Sequence, residues 1–208
     1  VTTAVAEALG GMPATVQPLV IDALAARGER AALPAIVAAV AAADETVRLQ
    51  AVAALATLGD ATTAMLLART AVAAEAKSAL QVRARASLDV LPGEAVNRVL
   101  EEGLAGAAPA LQCEIIRALG ARNATAAVPA LLRLARAEER KVVSESLESL
   151  GQLAAAEHLP ALVELLCQTS AGSALAKIEA ILAGVSRRSA DVEAGPRAVL
   201  AGLARDTA

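Results

Sequence analysis

The sequence contains no Phe, Tyr or Trp among its 208 residues. Base stacking, aromatic cages for cationic ligands and Trp/Tyr interface anchors all need a π face, so binding has to rest on aliphatic, amide and charged groups. There is one histidine, His158, so a His-centred catalytic site or a multi-His metal site would draw its other partners from elsewhere. The two cysteines, Cys113 and Cys167, lack metal-ligand spacing. Positive charge is not in excess: 19 basic and 22 acidic side chains give a net charge of −3, and the signs alternate along the chain. A phosphate backbone asks for a basic stripe, so nucleic acid is not an expected partner.

Long apolar runs are missing too, although mean hydropathy is +0.54. The uncharged stretches Ala8 to Ile21 and Ala31 to Ala43 both contain Pro and stop well short of the roughly 18 residues of a spanning helix. They read as buried helices, with no membrane insertion. No basic segment followed by an apolar stretch opens the chain, and its first residue is Val1. A targeting segment is therefore absent, removed or outside this stretch, which leaves the compartment open, with the cytoplasm slightly favoured.

What the chain has in abundance is alanine, about a quarter of all residues, within an apolar fraction of 56%. Ordinary domains are nearer 45–50% or so. Alanine has the best helix propensity and lets helix axes approach to the lower end of the usual range of about 8–10 Å. A core of Leu, Val, Ile and small residues predicts thin, closely stacked helices.

A short phrase also recurs. Ala54-Leu55 has counterparts at Ala23-Leu24, Ser87-Leu88, Ala118-Leu119, Ser146-Leu147 and, more loosely, Ile181-Leu182. A second mark falls at Thr3, Pro34, Met65, Arg98, Pro129 and Pro160. A period of about thirty residues is that of a stacked helical solenoid. In the clearest copy Leu33, Ile36, Val37 and Val40 fall at helical spacing, as do Val47, Ala51, Ala54, Leu55 and Leu58. Asp44 suits an N-cap, and Gly59, before Asp60, suits a left-handed C-cap.

That template predicts helix pairs near 2–10 and 13–27, 31–42 and 45–58, 61–73 and 76–91, 94–106 and 109–121, 124–136 and 138–151, and 156–168 and 173–187, with a last helix near 191–205. Turns are marked by Gly10-Gly11, Gly28, Gly59-Asp60, Pro92-Gly93, Asn123, Gly151 and the Ser170 to Ser173 run. The expected architecture is all-α: a right-handed α-α superhelix of about six antiparallel helix pairs plus a C-terminal helix. An array of like units has no natural internal boundary, so residues 1–208 read as a single domain. Its apolar opening, without an initiating Met, also fits a segment of a longer protein. Cys113 and Cys167 fall about two repeats apart, too far for a disulfide, and are expected to be free and buried.

The LPAIVAAV, VPALLRLA and LPALVELL stretches, paired with VRLQAVAALATLGD, resemble HEAT repeats, specifically the short bacterial kind also called phycobilisome-lyase-type repeats. The resemblance implies that a Pro bends the first helix (Pro34, Pro129, Pro160), that an Asp precedes the second (Asp44), and that a Val-Arg pair sits in its first turn (Val47, Arg48). The sequence departs from this elsewhere. The Asp position reads Pro13, Lys77 and Ala108, and the Arg position reads Gln17, Gln81 and Gln112 before returning as Arg140.

Individual chemistry is sparse. His158 with Glu157 reads as an exposed polar pair in a helix's first turn. The di-iron hydroxylases that the fold resembles need several His-Glu pairs on successive repeats, and here there is one pair in reverse order. Glu101-Glu102, Glu138-Glu139 and Asp44-Glu45 are adjacent on helices and so point about 100° apart, which suits solvated helix ends better than acid and base partners. Asn123-Ala124-Thr125 fits a glycosylation sequon, but a turn Asn explains it. Gly103 and Gly106 do not approach a phosphate-loop pattern.

The exposed side of the second helices, which in HEAT arrays lines the concave surface, carries Leu19 and Asp22, Gln50 and Ala53, Arg83 and Ala86, Glu114 and Arg117, Lys141 and Glu145, then Lys177 and Ala180. From this row Arg83, Glu114, Arg117, Lys141, Glu145 and Lys177 are the candidate partner-binding residues, the cations meeting acidic groups. The expected function is a non-catalytic interaction scaffold, without a cofactor or metal, for a protein or peptide partner or for flanking domains of the same chain. Two alternatives stand beside it: a chromophore lyase-type subunit, which the resemblance implies, and a structural spacer in a large multidomain bacterial protein. HEAT-like DNA glycosylases rely on aromatic residues and a basic cleft, which this chain lacks.

Overall fold

Asp44 holds extended backbone (φ −75°, ψ 131°), and its Oδ1 accepts the Val47 N–H at 3.1 Å, the N-cap that its position predicts. In this computed structural model, which describes residues 2–169, 172–189, 195 and 197–201, that cap starts a helix over Glu45–Leu58. The α-helices in chain order are α1 (Thr2–Ala8), α2 (Gln17–Arg27), α3 (Leu33–Ala39), α4 (Glu45–Leu58), α5 (Ala61–Ala73), α6 (Ala79–Val90), α7 (Ala95–Gly103), α8 (Pro109–Ala121), α9 (Val128–Leu134), α10 (Arg140–Leu153), α11 (Leu159–Gln168) and α12 (Ser173–Arg188). Among the described residues there is no strand, so the chain is all-α, as its periodicity predicts.

The chain groups into two compact units, Val1–Gly106 and Ala107–Ala208. In the first, α2 packs on α4 and α4 on α6, while α3 and α5 pair with α4 and α6. In the second, α8 packs on α10 and α10 on α12, with α9 and α11 as the paired first helices. Each unit is thus a stack of antiparallel helix pairs. The recurring Ala-Leu mark is its seam: Leu24, Leu55, Leu88, Leu119, Leu147 and Leu182 are all buried. Each such Leu contributes roughly 1.5–3 kcal/mol relative to exposure.

Two departures at the Arg position, Gln17 and Gln81, keep its job. Arg48 Nη1 donates to the Ala42 and Ala43 carbonyls (2.9 and 2.7 Å), just after α3. Gln81 Nε2 donates to the Ala71 carbonyl in the last turn of α5 (3.0 Å), and Gln17 Nε2 to Met12 O (2.8 Å). Each ties the start of a second helix to the end of its own first helix, where carbonyls lack helical partners. At the Asp position Lys77 takes positive φ (64°), and the cap passes to Ser78, whose Oγ accepts the Gln81 N–H at 3.2 Å.

Several boundaries differ from expectation for identifiable reasons. The prolines do not bend helices α3, α9 and α11. Each lies in the first turn and is preceded by a 3₁₀ turn, at Arg30–Ala32, Thr125–Ala127 and Ala156–His158. A proline has no N–H to continue an i→i−4 ladder, so the α-helix proper begins beside it. Pro18 likewise delays α2 to Gln17. Helix α10 runs through Gly151 because the buried Leu153 carries the apolar pattern onward.

Gly28 ends α2 in the left-handed conformation (φ 67°), but Gly59, expected to do the same for α4, is extended (φ −67°, ψ 167°). Its requirement is space. A Cβ there would stand 2.5 Å from the Leu55 carbonyl oxygen and 2.6 Å from Thr63 Oγ1. The cysteines are free, as expected, but not buried: Cys167 is exposed and Cys113 partly so. Ser170 and Ala171 lie outside the described residues, as does much of the expected helix near 191–205, of which 197–201 are helical.

Candidate interaction surface

Counting four residues before the Ala-Leu mark gives Leu19, Gln50, Arg83, Glu114, Val142 and Lys177. Val142 is buried, so in α10 the row was assigned one residue early, and Lys141 is its exposed neighbour.

In the first unit Gln50 Nε2 donates to Asp22 Oδ1 on α2 at 3.1 Å, and Arg83 is exposed on α6. In the second, Glu114 is 4% exposed and pairs with Arg117, whose Nε donates to Glu114 Oε1 at 2.9 Å. One turn of α8 brings these two together. Lys177 Nζ donates to Ser144 Oγ on α10 at 2.8 Å. Glu145, half-buried, acts on Cys113: burial first, then the charges of Glu145 and Glu139, push that thiol above its ordinary value, with Lys141 opposing. Several residues predicted to face a partner therefore reach a neighbour within the chain. Gln50 and Lys177 each grip the preceding second helix, and Glu114 and Arg117 hold each other.

A cleft of about 360 Å³ opens where α10 and α12 begin. Arg140, Glu138, Ser144, Ser173 and Lys177 give it its polar groups, and Val143 and Leu147 its apolar floor. Of these the sequence singled out Lys177 for binding. Arg140 was legible as the returning Arg position, but its place beside Lys177 depends on how α10 meets α12, which no local pattern encodes.

The other candidates take structural parts. His158 Nδ1 accepts the Ala155 N–H at 3.1 Å, closing the turn before α11. Asp44 is a cap, and Asn123 takes positive φ (54°) in the turn after α8, as its turn reading predicts. Among the described residues no group of three or more His, Cys, Asp and Glu side chains could hold a metal ion, and no helix is long and apolar enough to cross a membrane.

Fold and surface define a class: helix-pair repeats whose second helices stack on one another and leave a polar row outward. Residues 97–183 match the family model for HEAT repeats. Among solved structures it is similar to an engineered protein from the Northeast Structural Genomics Consortium, at a TM-score of 0.50 and 19% identity, over 97% of this chain and 61% of that one. It is also similar to the complex of CpcE and CpcF of phycocyanin lyase from Nostoc sp. PCC7120, at a TM-score of 0.46 and 19% identity, over 100% and 88% of the two chains. Human deoxyhypusine hydroxylase in complex with glycerol gives 0.44 and 18%, over 88% and 84%. The likeness at 0.50 is one of fold; the two below 0.5 carry nothing about activity. Comparison with curated proteins gives no match.

Proposed function

We propose that the chain is a non-catalytic interaction scaffold, and that the second unit holds an acidic protein or peptide segment at the opening between α10 and α12. The observation that supports this most is the pairing of two exposed cations, Arg140 and Lys177, on opposite walls of one cleft with an apolar floor. Two cations lining a cleft with Val143 and Leu147, against the single acidic Glu138, suit a carboxylate-bearing segment with an aliphatic side chain between its acids. The use of His158 as a turn closure favours a binding role over a catalytic one. Arg117, engaged with Glu114, is a poor partner for an external group, and Arg83 lies in the other unit.

The test is binding of fluorescein-labelled acidic and basic peptides, read by polarisation. Acidic peptides are expected to bind, to weaken with salt, and to lose at least about tenfold in affinity with Arg140→Glu and Lys177→Glu combined, while Arg83→Glu leaves binding unchanged. Equal binding of both peptide types, or indifference to the double reversal, would remove this cleft as the site.

A further inference from the structure

Three charged side chains line the cleft between α10 and α12, and they do not neutralise one another. Arg140, Lys177 and Glu138 share an opening of about 360 Å³, yet among the described residues none of the three forms an ion pair. Lys177 Nζ instead donates to Ser144 Oγ at 2.8 Å, a neutral acceptor that leaves its charge uncompensated. Glu138 is exposed in the bend that leads into α10, two residues before Arg140. It is not the cap of that helix, whose N-cap position is Glu139. Its carboxylate is therefore spent neither on a helix end nor on the two cations that line the same opening.

This bears on which ligands the cleft accepts. An all-acidic segment drawn in by Arg140 and Lys177 also brings negative charge to Glu138, and like charges juxtaposed across an interface cost affinity. A segment that presents a cation to Glu138 removes that cost and gains an ion pair. Sites become selective through this combination, an attraction for one ligand together with a repulsion against its near neighbour.

We propose, resting on the reading of this cleft as a peptide site, that Glu138 makes it selective for a mixed-charge segment. The segment has an aliphatic residue between two acids, with a lysine or arginine adjoining the acid that Arg140 holds. Arg140 and Lys177 take the carboxylates, Val143 and Leu147 the aliphatic side chain, and Glu138 the added cation. Glu138 is thus the residue that separates such a segment from a simple polyanion.

The test uses fluorescein-labelled peptides built on acid-leucine-acid, carrying lysine at one end or the other, or glutamine in its place, read by polarisation. Exposed ion pairs are weak, so wild type is expected to prefer lysine over glutamine about threefold at one of the two ends. Glu138→Gln should abolish that preference, weakening the lysine peptide and tightening the glutamine peptide. Glu139→Gln removes the same charge one residue away, from a carboxylate whose field reaches Cys113 on α8, and should leave the preference intact. Both substitutions keep the size of an exposed side chain, and unchanged helical circular dichroism checks the fold. No preference in wild type, a preference that survives Glu138→Gln, or an equal loss in both variants overturns the inference. If the glutamine peptides still bind through Arg140 and Lys177 in that case, the cleft stands as a peptide site without this selectivity. Absence of all binding removes both.

Discussion

The two units secure the same architecture by different means. In the first, α4, α5 and α6 are each started by a side-chain cap: Asp44 for Val47 N–H, Asp60 for Thr62 N–H at 2.9 Å, and Ser78 for Gln81 N–H. In the second, none of α8 to α12 has a side-chain cap bond. That unit has hydrogen bonds between repeats, from Ser149 to Ile116 O, from Arg136 to Gln168 and Glu164, from Lys177 to Ser144, and from Arg188 to the Gly151 and Ala154 carbonyls, whereas the first unit adds to its caps the bonds from Gln50 to Asp22 and from Arg30 to Asp60. Stability in a repeat array is approximately a sum of the intrinsic stability of each repeat and of the interfaces between neighbours. The first unit draws on both parts, the second on the interfaces.

Two glycines break this comparison most sharply. Gly59→Ala sets a methyl 2.5 Å from the Leu55 carbonyl oxygen of its own helix turn and 2.7 Å from Leu91 Cδ1, and backbone cannot step aside. A loss of about 3 kcal/mol is expected, seen as faster hydrogen exchange in α4 and α5. Gly120→Ala meets instead a hydroxyl of the next repeat, Ser149 Oγ at 2.8 Å, which can turn away by giving up its bond to Ile116 O. The expected loss is about 2 kcal/mol, in α8 and α10, and prior Ser149→Ala should recover about 1 kcal/mol of it. Additive losses would show that the seam is not as close as described.

Smaller changes sharpen the contrast. Ser146 occupies the marker position in α10, fully buried, with no partner for its hydroxyl; α2, α4 and α8 carry alanine there. Ser146→Ala is expected to stabilise by about 1 kcal/mol in chemical denaturation, and destabilisation would contradict a dry seam.

Asp60→Ala should cost about 1 kcal/mol at neutral pH. The Thr62 hydroxyl and backbone N–H, more than the Arg30 charge, hold the Asp60 carboxyl below its ordinary 3.8. A depressed carboxyl contributes stability that is present above its unfolded value and lost as the pH falls through the folded one. The difference between wild type and Asp60→Ala should therefore shrink below about pH 4. A difference independent of pH would show that the cap acts through shape alone.

Helix existence was legible because apolar spacing and caps are local. Glu45–Leu58, Ala61–Ala73 and Pro109–Ala121 coincide with their predicted limits, each beginning where a cap or Pro makes one start unambiguous. Gly59 misled because two different physical needs, positive φ and absence of a Cβ, select the same residue. The surface row was legible as a register and less so as a site. The pattern that marks Gln50 and Lys177 as outward does not show that each reaches sideways to the preceding helix. Cys167 was expected to be buried, yet its position in α11 is exposed.

The central claim is that consecutive second helices meet at the recurring Ala-Leu register, and disulfide trapping tests it most directly. A Cβ on Gly120 lies 3.3 Å from Ser149 Cβ, close to the roughly 3.5–4.5 Å of a disulfide. With Cys113→Ser and Cys167→Ser as background, the Gly120→Cys/Ser149→Cys chain is expected to cross-link fully under copper–phenanthroline, losing two hydrogens by mass, while Gly120→Cys/Glu148→Cys stays reduced. Cross-linking of the Glu148 pair in its place would contradict the register on which the seam and the surface row both rest.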